Sequence, residues 1–154
     1  LAGASEKGIC LLEFVDRRMV ETNLNRLKKL HKAEFVVGSN KHIDQLEEQL
    51  KAYFTGQQKQ FTVPLDLAGT PFQRKVWDAL RNVSYGTTQS YQKLAENLGN
   101  PRAVRAVARA NGDNRIAIVI PCHRIIGKNG KLTGYGGGLW RKQYLLNLEF
   151  ENLK

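Results

Sequence analysis

Ile116-Ala117-Ile118-Val119-Ile120-Pro121-Cys122-His123-Arg124 is the stretch that decides how the chain is read. Four of its first five positions are β-branched, and so short an apolar run predicts a buried strand. Pro121 ends regular pairing because it has no N–H to donate. Cys122 then stands at a strand end beside His123 and Arg124, two groups able to carry positive charge. That setting places the thiol to ionise, and the thiolate is the nucleophilic form. A free cysteine is more often a small buried hydrophobe; the Pro-Cys-His-Arg tetrad turns the reading toward chemistry.

The chain has 154 residues, enough for one domain with a real core or for two small lobes. Its 42% hydrophobic and 25% charged residues are an ordinary globular composition. No apolar run approaches a membrane span, and the first residues do not form a signal peptide. Cys10 and Cys122 give no disulfide framework and no metal spacing, so the expectation is a reducing, cytoplasmic setting with no metal and no cofactor. The formal net charge is +10, unevenly placed. Residues 1–70 hold ten Lys/Arg against nine Asp/Glu, whereas residues 71–154 hold fourteen against five. The basic excess lies on the half that carries Cys122, and phosphate backbones are the partner it attracts.

Toward the N-terminus, Gly8–Val15 reads as a strand in which Cys10 is structural. Val20, Leu24, Leu27 and Leu30 predict a helix over 19–30. Ser39 reads as the cap of a second helix, through Ile43, Leu46, Leu50 and Phe54 to Gly56. Phe61–Leu65 reads as a strand with Pro64 at an edge, and His31 and His42 as surface residues. The character changes at Gly69-Thr70-Pro71. Thr70 caps and Pro71 opens a helix bearing Phe72, Val76, Trp77, Leu80 and Val83. Ser84–Gly86 is a turn. Ser90 then caps a helix from Tyr91 to Leu98, ended by Gly99, and Asn100-Pro101 begins another that runs to Gly112. Two short helices around such a turn outline a helix-turn-helix. In the second, Arg102, Arg105 and Arg109 share one face while Val104, Val107 and Ala108 lie toward the other. Its alanines allow close approach to a groove. Lys128–Lys131 is a basic hairpin tip. Gly134–Gly138 lacks the ending of a phosphate-cradling loop, and a helix from Leu139 to Glu149 closes the chain.

These features together resemble the O6-alkylguanine-DNA alkyltransferases. Ser90-Tyr91, Asn100-Pro101-Arg102-Ala103, Arg105-Ala106-Val107, Asn114, Ile120–Arg124, Gly134-Tyr135, Gly137-Gly138-Leu139 and Glu149 fall in that family's order and spacing. The resemblance implies an RNase-H-like α/β lobe over 1–68 and a mainly α, winged helix-turn-helix lobe over 69–154. Leu1–Ala4 would be the tail of the first strand, its earlier half missing, and some family members carry this domain at the end of an adaptive-response (Ada-type) activator. The implied activity is direct repair, the single-turnover transfer of a methyl or larger alkyl group from O6 of guanine in duplex DNA to Cys122. O4 of thymine is a further candidate. By similarity, His123 takes the thiol proton through a bridging water, Glu149 orients His123, and Asn114 ties the turn before the cysteine. Tyr91, Tyr135 and Gly136 would border the base, with Tyr91 donating to the guanine ring as it leaves. Arg105 would fill the place of the flipped base, with Arg102, Ala103, Gln92, Asn100 and Lys128 also on DNA. Gly136 stands where some members carry a hydroxyl, and the zinc of some members lacks its Cys/His cluster here. The expected partner is double-stranded DNA containing O6-alkylguanine, met by one copy of the chain and away from membranes.

Three rivals differ in class. A non-catalytic damage-binding relative lacks the cysteine that is present here. An operator-reading regulator needs base-reading polar side chains, and the second motif helix is mostly Ala, Val and Arg. A cysteine hydrolase needs direct proton transfer between Cys122 and His123, which adjacent residues of an extended strand do not favour.

Overall fold

Thr70 shows how this chain starts a helix. Its hydroxyl accepts from Gln73 N–H while the Gln73 side chain accepts from Thr70 N–H, a reciprocal cap with Pro71 at the first helical position. The computed structural model describes all residues, 1–154. In chain order its elements are β1 (Ala2–Ala4), β2 (Ile9–Leu12), α1 (Val20–His31), α2 (Lys41–Phe54) and α3 (Pro71–Arg81), then β3 (Gln89–Ser90), α4 (Tyr91–Asn97), α5 (Val104–Gly112), a single 3-10 turn (Cys122–Arg124), β4 (Ile125–Ile126) and α6 (Leu139–Glu151). No helix is long and apolar enough to cross a membrane.

β1 and β2 pair antiparallel, with Ala2 opposite Leu12 and an irregularity after Gly3. β3 and β4 form a two-residue parallel pair. One core joins the two halves: Ile9, Leu46 and Val63 from the first pack with Val76, Trp77, Leu80, Leu94, Val107 and Ile120 from the second. The Trp77 indole N–H donates to Ala110 C=O at 2.9 Å, tying α3 to α5.

Several expectations need correction. Residues 116–120 are not a strand. Ile116 makes one parallel bridge to Leu12, and the chain then turns through Ile118 in the left-handed region (φ 70°), an unusual place for a β-branched residue. Cys122 therefore starts a 3-10 turn rather than ending a strand. Phe61–Leu65 makes only one bridge, Leu65 with Ile9, because the Gln49 amide takes the N–H groups of Thr62 and Val63 that a ladder would use. The cap of α2 is Asn40 instead of Ser39, accepting from His42 and Ile43 N–H at 3.0 Å. His42 is buried rather than on the surface, its Nε2 2.9 Å from Glu6 C=O. α5 begins at Val104, since Asn100–Ala103 forms a turn, so Arg102 leaves the face that Arg105 and Arg109 share.

Removing the reciprocal cap with Thr70→Ala should cost about 1 kcal/mol in urea unfolding, with an unchanged denaturant slope.

Candidate active site

Asn114 sets the geometry. Its side-chain oxygen accepts from Ile116 N–H at 3.0 Å, and its Nδ2 donates to Ile120 C=O at 2.8 Å and to Cys122 Sγ at 3.1 Å. One buried amide thus closes the strained turn and touches the sulfur. Cys122 opens on a cavity of about 590 Å³, lined among others by Asn114, Tyr91, Tyr135, Gly136, Val104 and Arg105. Glu13, Phe14 and Arg17 of the first lobe complete the wall.

His123, next to Cys122 in the 3-10 turn, is fully buried. Its Nε2 is 2.7 Å from Glu149 Oε1, and its Nδ1 has no partner in the protein. Glu149, also 0% exposed, accepts from Tyr53 O–H at 2.7 Å, from Gly86 N–H at 3.1 Å, and from Arg124 Nε and Nη2 at 2.9 Å each. Burial alone would raise Glu149, but the bonds from His123 and Arg124 outweigh it and hold the carboxyl at about 2. Burial pushes His123 down despite Glu149, so near neutrality the imidazole is uncharged. With Nε2–H donating to the carboxylate, Nδ1 keeps a lone pair free to accept a proton.

The thiol is not poised as an anion. Burial raises Cys122, against the Asn114 N–H and the charges of Lys142 and Arg17. His123 is neutral and Arg124 is turned to Glu149 and to Val83 C=O, so neither neighbour supplies the expected positive charge. The resting group is a neutral thiol. Cys10 is buried too, pushed up to about 11 by burial and the Asp66 charge, and lies away from this cavity.

Tyr91 O–H donates to Thr133 C=O at 3.2 Å, whereas the buried Tyr135 hydroxyl has no partner. Arg105 is exposed at the rim. The remaining DNA-side candidates lie outside the cavity: Arg102, Asn100 and Lys128 are exposed, Gln92 is half-buried, and Ala103 precedes α5. Gln92 donates to Pro101 C=O, bracing the turn. Sequence reasoning missed Glu13, Arg17, Tyr53, Asn111 and Lys142, and it set Arg124 beside the sulfur rather than on Glu149. Lys142 is fully buried, with Nζ bonded to the carbonyls of Ile125 and Thr133. The i, i+7 step from Lys142 to Glu149 on an amphipathic helix was the one available signal, since both fall on its inner face.

Fold and site define a class, a two-lobed helix-turn-helix protein built around a buried Cys–His–Glu array. Residues 71–151 match the DNA binding domain of 6-O-methylguanine DNA methyltransferase, and residues 3–67 match the ribonuclease-like domain. The chain belongs to the 6-O-methylguanine DNA methyltransferase family. A methylated-DNA–protein-cysteine methyltransferase of Mycolicibacterium paratuberculosis is 62% identical over 102 residues, 66% of this chain and 62% of that protein, so the match spans less than two thirds of that relative. The protein of the same name from Methanosarcina acetivorans is 49% identical over 149 residues, 97% of this chain and 90% of its own. The crystal structure of Mycobacterium tuberculosis OGT in complex with DNA superimposes with a TM-score of 0.80 at 39% identity, covering 98% of this chain and 86% of that one.

Stability should fall with acid in two stages. His123, depressed in the fold, binds its proton first in the unfolded chain, so stability declines as pH drops below about 6.5. Glu149 adds a contribution of about 3 kcal/mol that is complete above its ordinary 4.5 and lost as pH falls toward about 2. Urea unfolding between pH 7 and pH 3 measures both, and Tyr53→Phe, which removes one donor to Glu149, should move acid unfolding to higher pH.

Proposed function

We propose that the protein repairs duplex DNA by transferring a methyl or larger alkyl group from O6 of guanine to Cys122, once per molecule. The carrying observation is a buried thiol that opens on a base-sized cavity walled by α5, followed in the chain by the buried His123 that pairs with Glu149. A saturated carbon is displaced directly, which calls for a sulfur nucleophile. Asn114 holds Sγ toward the cavity, the thiol proton passes to His123 Nδ1 through a bridging water, and ionised Glu149 stabilises the imidazolium. The orienting logic is that of a triad, with the 3-10 turn setting cysteine and histidine on different sides of one bend. Nothing in the site removes an alkyl group from sulfur, which supports a stoichiometric reaction.

O6 lies inside the duplex, so the base is flipped into the cavity, between Tyr91 and Tyr135 and against Gly136. Arg105 enters the space left by the base, with the small side chains of α5 near the minor groove. Arg102, Ala103, Gln92, Asn100 and Lys128 supply flanking contacts to DNA. The names and DNA complex of the relatives support this partner, and the ends of the two family matches support a division of the chain at residues 68 and 69. Free Cys10 and Cys122 suit a reducing, cytoplasmic setting.

Mixing the protein with duplex DNA containing one O6-methylguanine should add a single methyl to the Cys122 peptide, restore guanine, and show no second turnover. An unmodified protein that still binds the lesion would indicate a damage sensor instead, and methylation persisting in Cys122→Ala would refute the acceptor. Arg105→Ala should slow repair of duplex at least about tenfold while leaving reaction with free O6-alkylguanine base unchanged. Equal rates on duplex would remove Arg105 from the flipping step.

A further inference from the structure

The proposed transfer makes a demand that Cys122, His123 and Glu149 do not meet. As the S–C bond forms, the C–O6 bond breaks and its electron pair stays on guanine. The thiol proton leaves toward His123, and the departing base becomes neutral guanine by taking up one proton. Until then O6 carries negative charge, and the barrier falls if donors point at it.

The cationic side chains on the cavity wall are Arg105, exposed at the rim, and Arg17, which comes from the first lobe. Arg17 is fixed in place. Its Nη1 donates to the buried Glu13 carboxylate and lies 3.4 Å from Asn114 C=O, and its Nη2 donates to Gly112 C=O at 2.7 Å. A guanidinium has five N–H groups, and these contacts leave Nε–H and one Nη2–H without a partner. A Cβ built at Gly136 would lie 2.5 Å from both Nε and Cζ and 2.8 Å from Nη2, so Gly136 packs against the face of the guanidinium and leaves that edge uncovered. The absent side chain at Gly136 is therefore the space that the Arg17 guanidinium occupies.

We propose that Arg17 is the leaving-group donor of this site, its Nε/Nη2 edge bonding O6 and N7 of the flipped guanine. That pair of acceptors is the one an arginine fork matches on guanine, and the charge is placed where O6 becomes anionic. The second bond also selects a purine, because thymine offers no N7. Glu13 holds the opposite side of the guanidinium and keeps its fork oriented. This proposal rests on the alkyltransfer reading given above.

Single-turnover transfer is measured from duplexes carrying O6-methylguanine or its 7-deaza analogue, alongside carbamidomethylation of Cys122 by iodoacetamide, which has iodide as its leaving group. Arg17→Gln should slow methyl transfer by roughly 10²-fold while iodoacetamide labelling changes less than about twofold, the scatter expected when the thiol itself is unaltered. The 7-deaza substitution should slow the native protein roughly tenfold, as loss of one charge-assisted hydrogen bond predicts, and leave Arg17→Gln indifferent. Glu13→Gln/Arg17→Gln, which strands no buried carboxylate, should behave as the single variant does. An equal 7-deaza penalty with and without Arg17, or parallel losses in both chemistries, would overturn the assignment. A native protein that reacts with iodoacetamide but takes no methyl from the lesion would instead refute the alkyltransfer reading, and the Arg17 role with it.

Discussion

A buried carboxylate with five hydrogen-bond donors holds this structure together. Glu149 receives Tyr53 from α2, Gly86 from the turn after α3, and His123 and Arg124 from the 3-10 turn. Each donor comes from a segment distant in sequence, so one side chain on α6 collects both lobes. An unpaired carboxylate at this depth would cost several kcal/mol, and the network is stable only because every oxygen is satisfied and Arg124 balances the charge. The arrangement also fixes chemistry. Glu149 binds the Nε2 edge of His123, which leaves Nδ1 as the basic atom of the site.

The same network explains why the thiol is neutral at rest. Arg124 follows Cys122 by two residues, yet its guanidinium points away, to Glu149 and Val83. Sequence adjacency suggests a charge beside the sulfur, whereas the 3-10 turn sends successive side chains in different directions. The sulfur meets the Asn114 amide instead, and the buried Lys142 acts only at longer range. A protonated thiol needs a base, so in the proposed transfer the nucleophile is generated during the reaction rather than stored beforehand.

Much of the second lobe is legible from residue order because its signals are local. Thr70-Pro71, Ser90 and Gly99 mark helix ends by side-chain and φ preferences that require no partner. Cys122 and His123 are legible from the tetrad that holds them, whereas Asn114 and Glu149 join them only by resemblance, since no periodicity links Glu149 to His123 across 26 positions. The failures have a common cause. Residues 116–120 carry strand-forming side chains, but the Asn114 side chain captures the backbone groups of Ile116 and Ile120 around Ile118 at φ 70°, so side-chain hydrogen bonds override propensity. Gln49 does the same to residues 61–65. Such side-chain-to-backbone capture leaves no mark in the hydrophobic pattern.

The first lobe shows the other limit of sequence reading. Its composition is nearly balanced in charge and its elements look like scaffold, yet Tyr53 reaches the carboxylate of the site and Glu13 and Arg17 form part of the cavity wall. Arg17 bonds the end of α5 at Gly112, and Leu12 pairs with Ile116 at the entrance to the strained turn. A shift of either lobe against the other would disturb the base pocket and the turn that presents Cys122 together. The cavity is thus a property of the interface between lobes. Substitutions at Glu13, Arg17 or Tyr53 in the first lobe therefore reach the cavity wall and the Glu149 network directly.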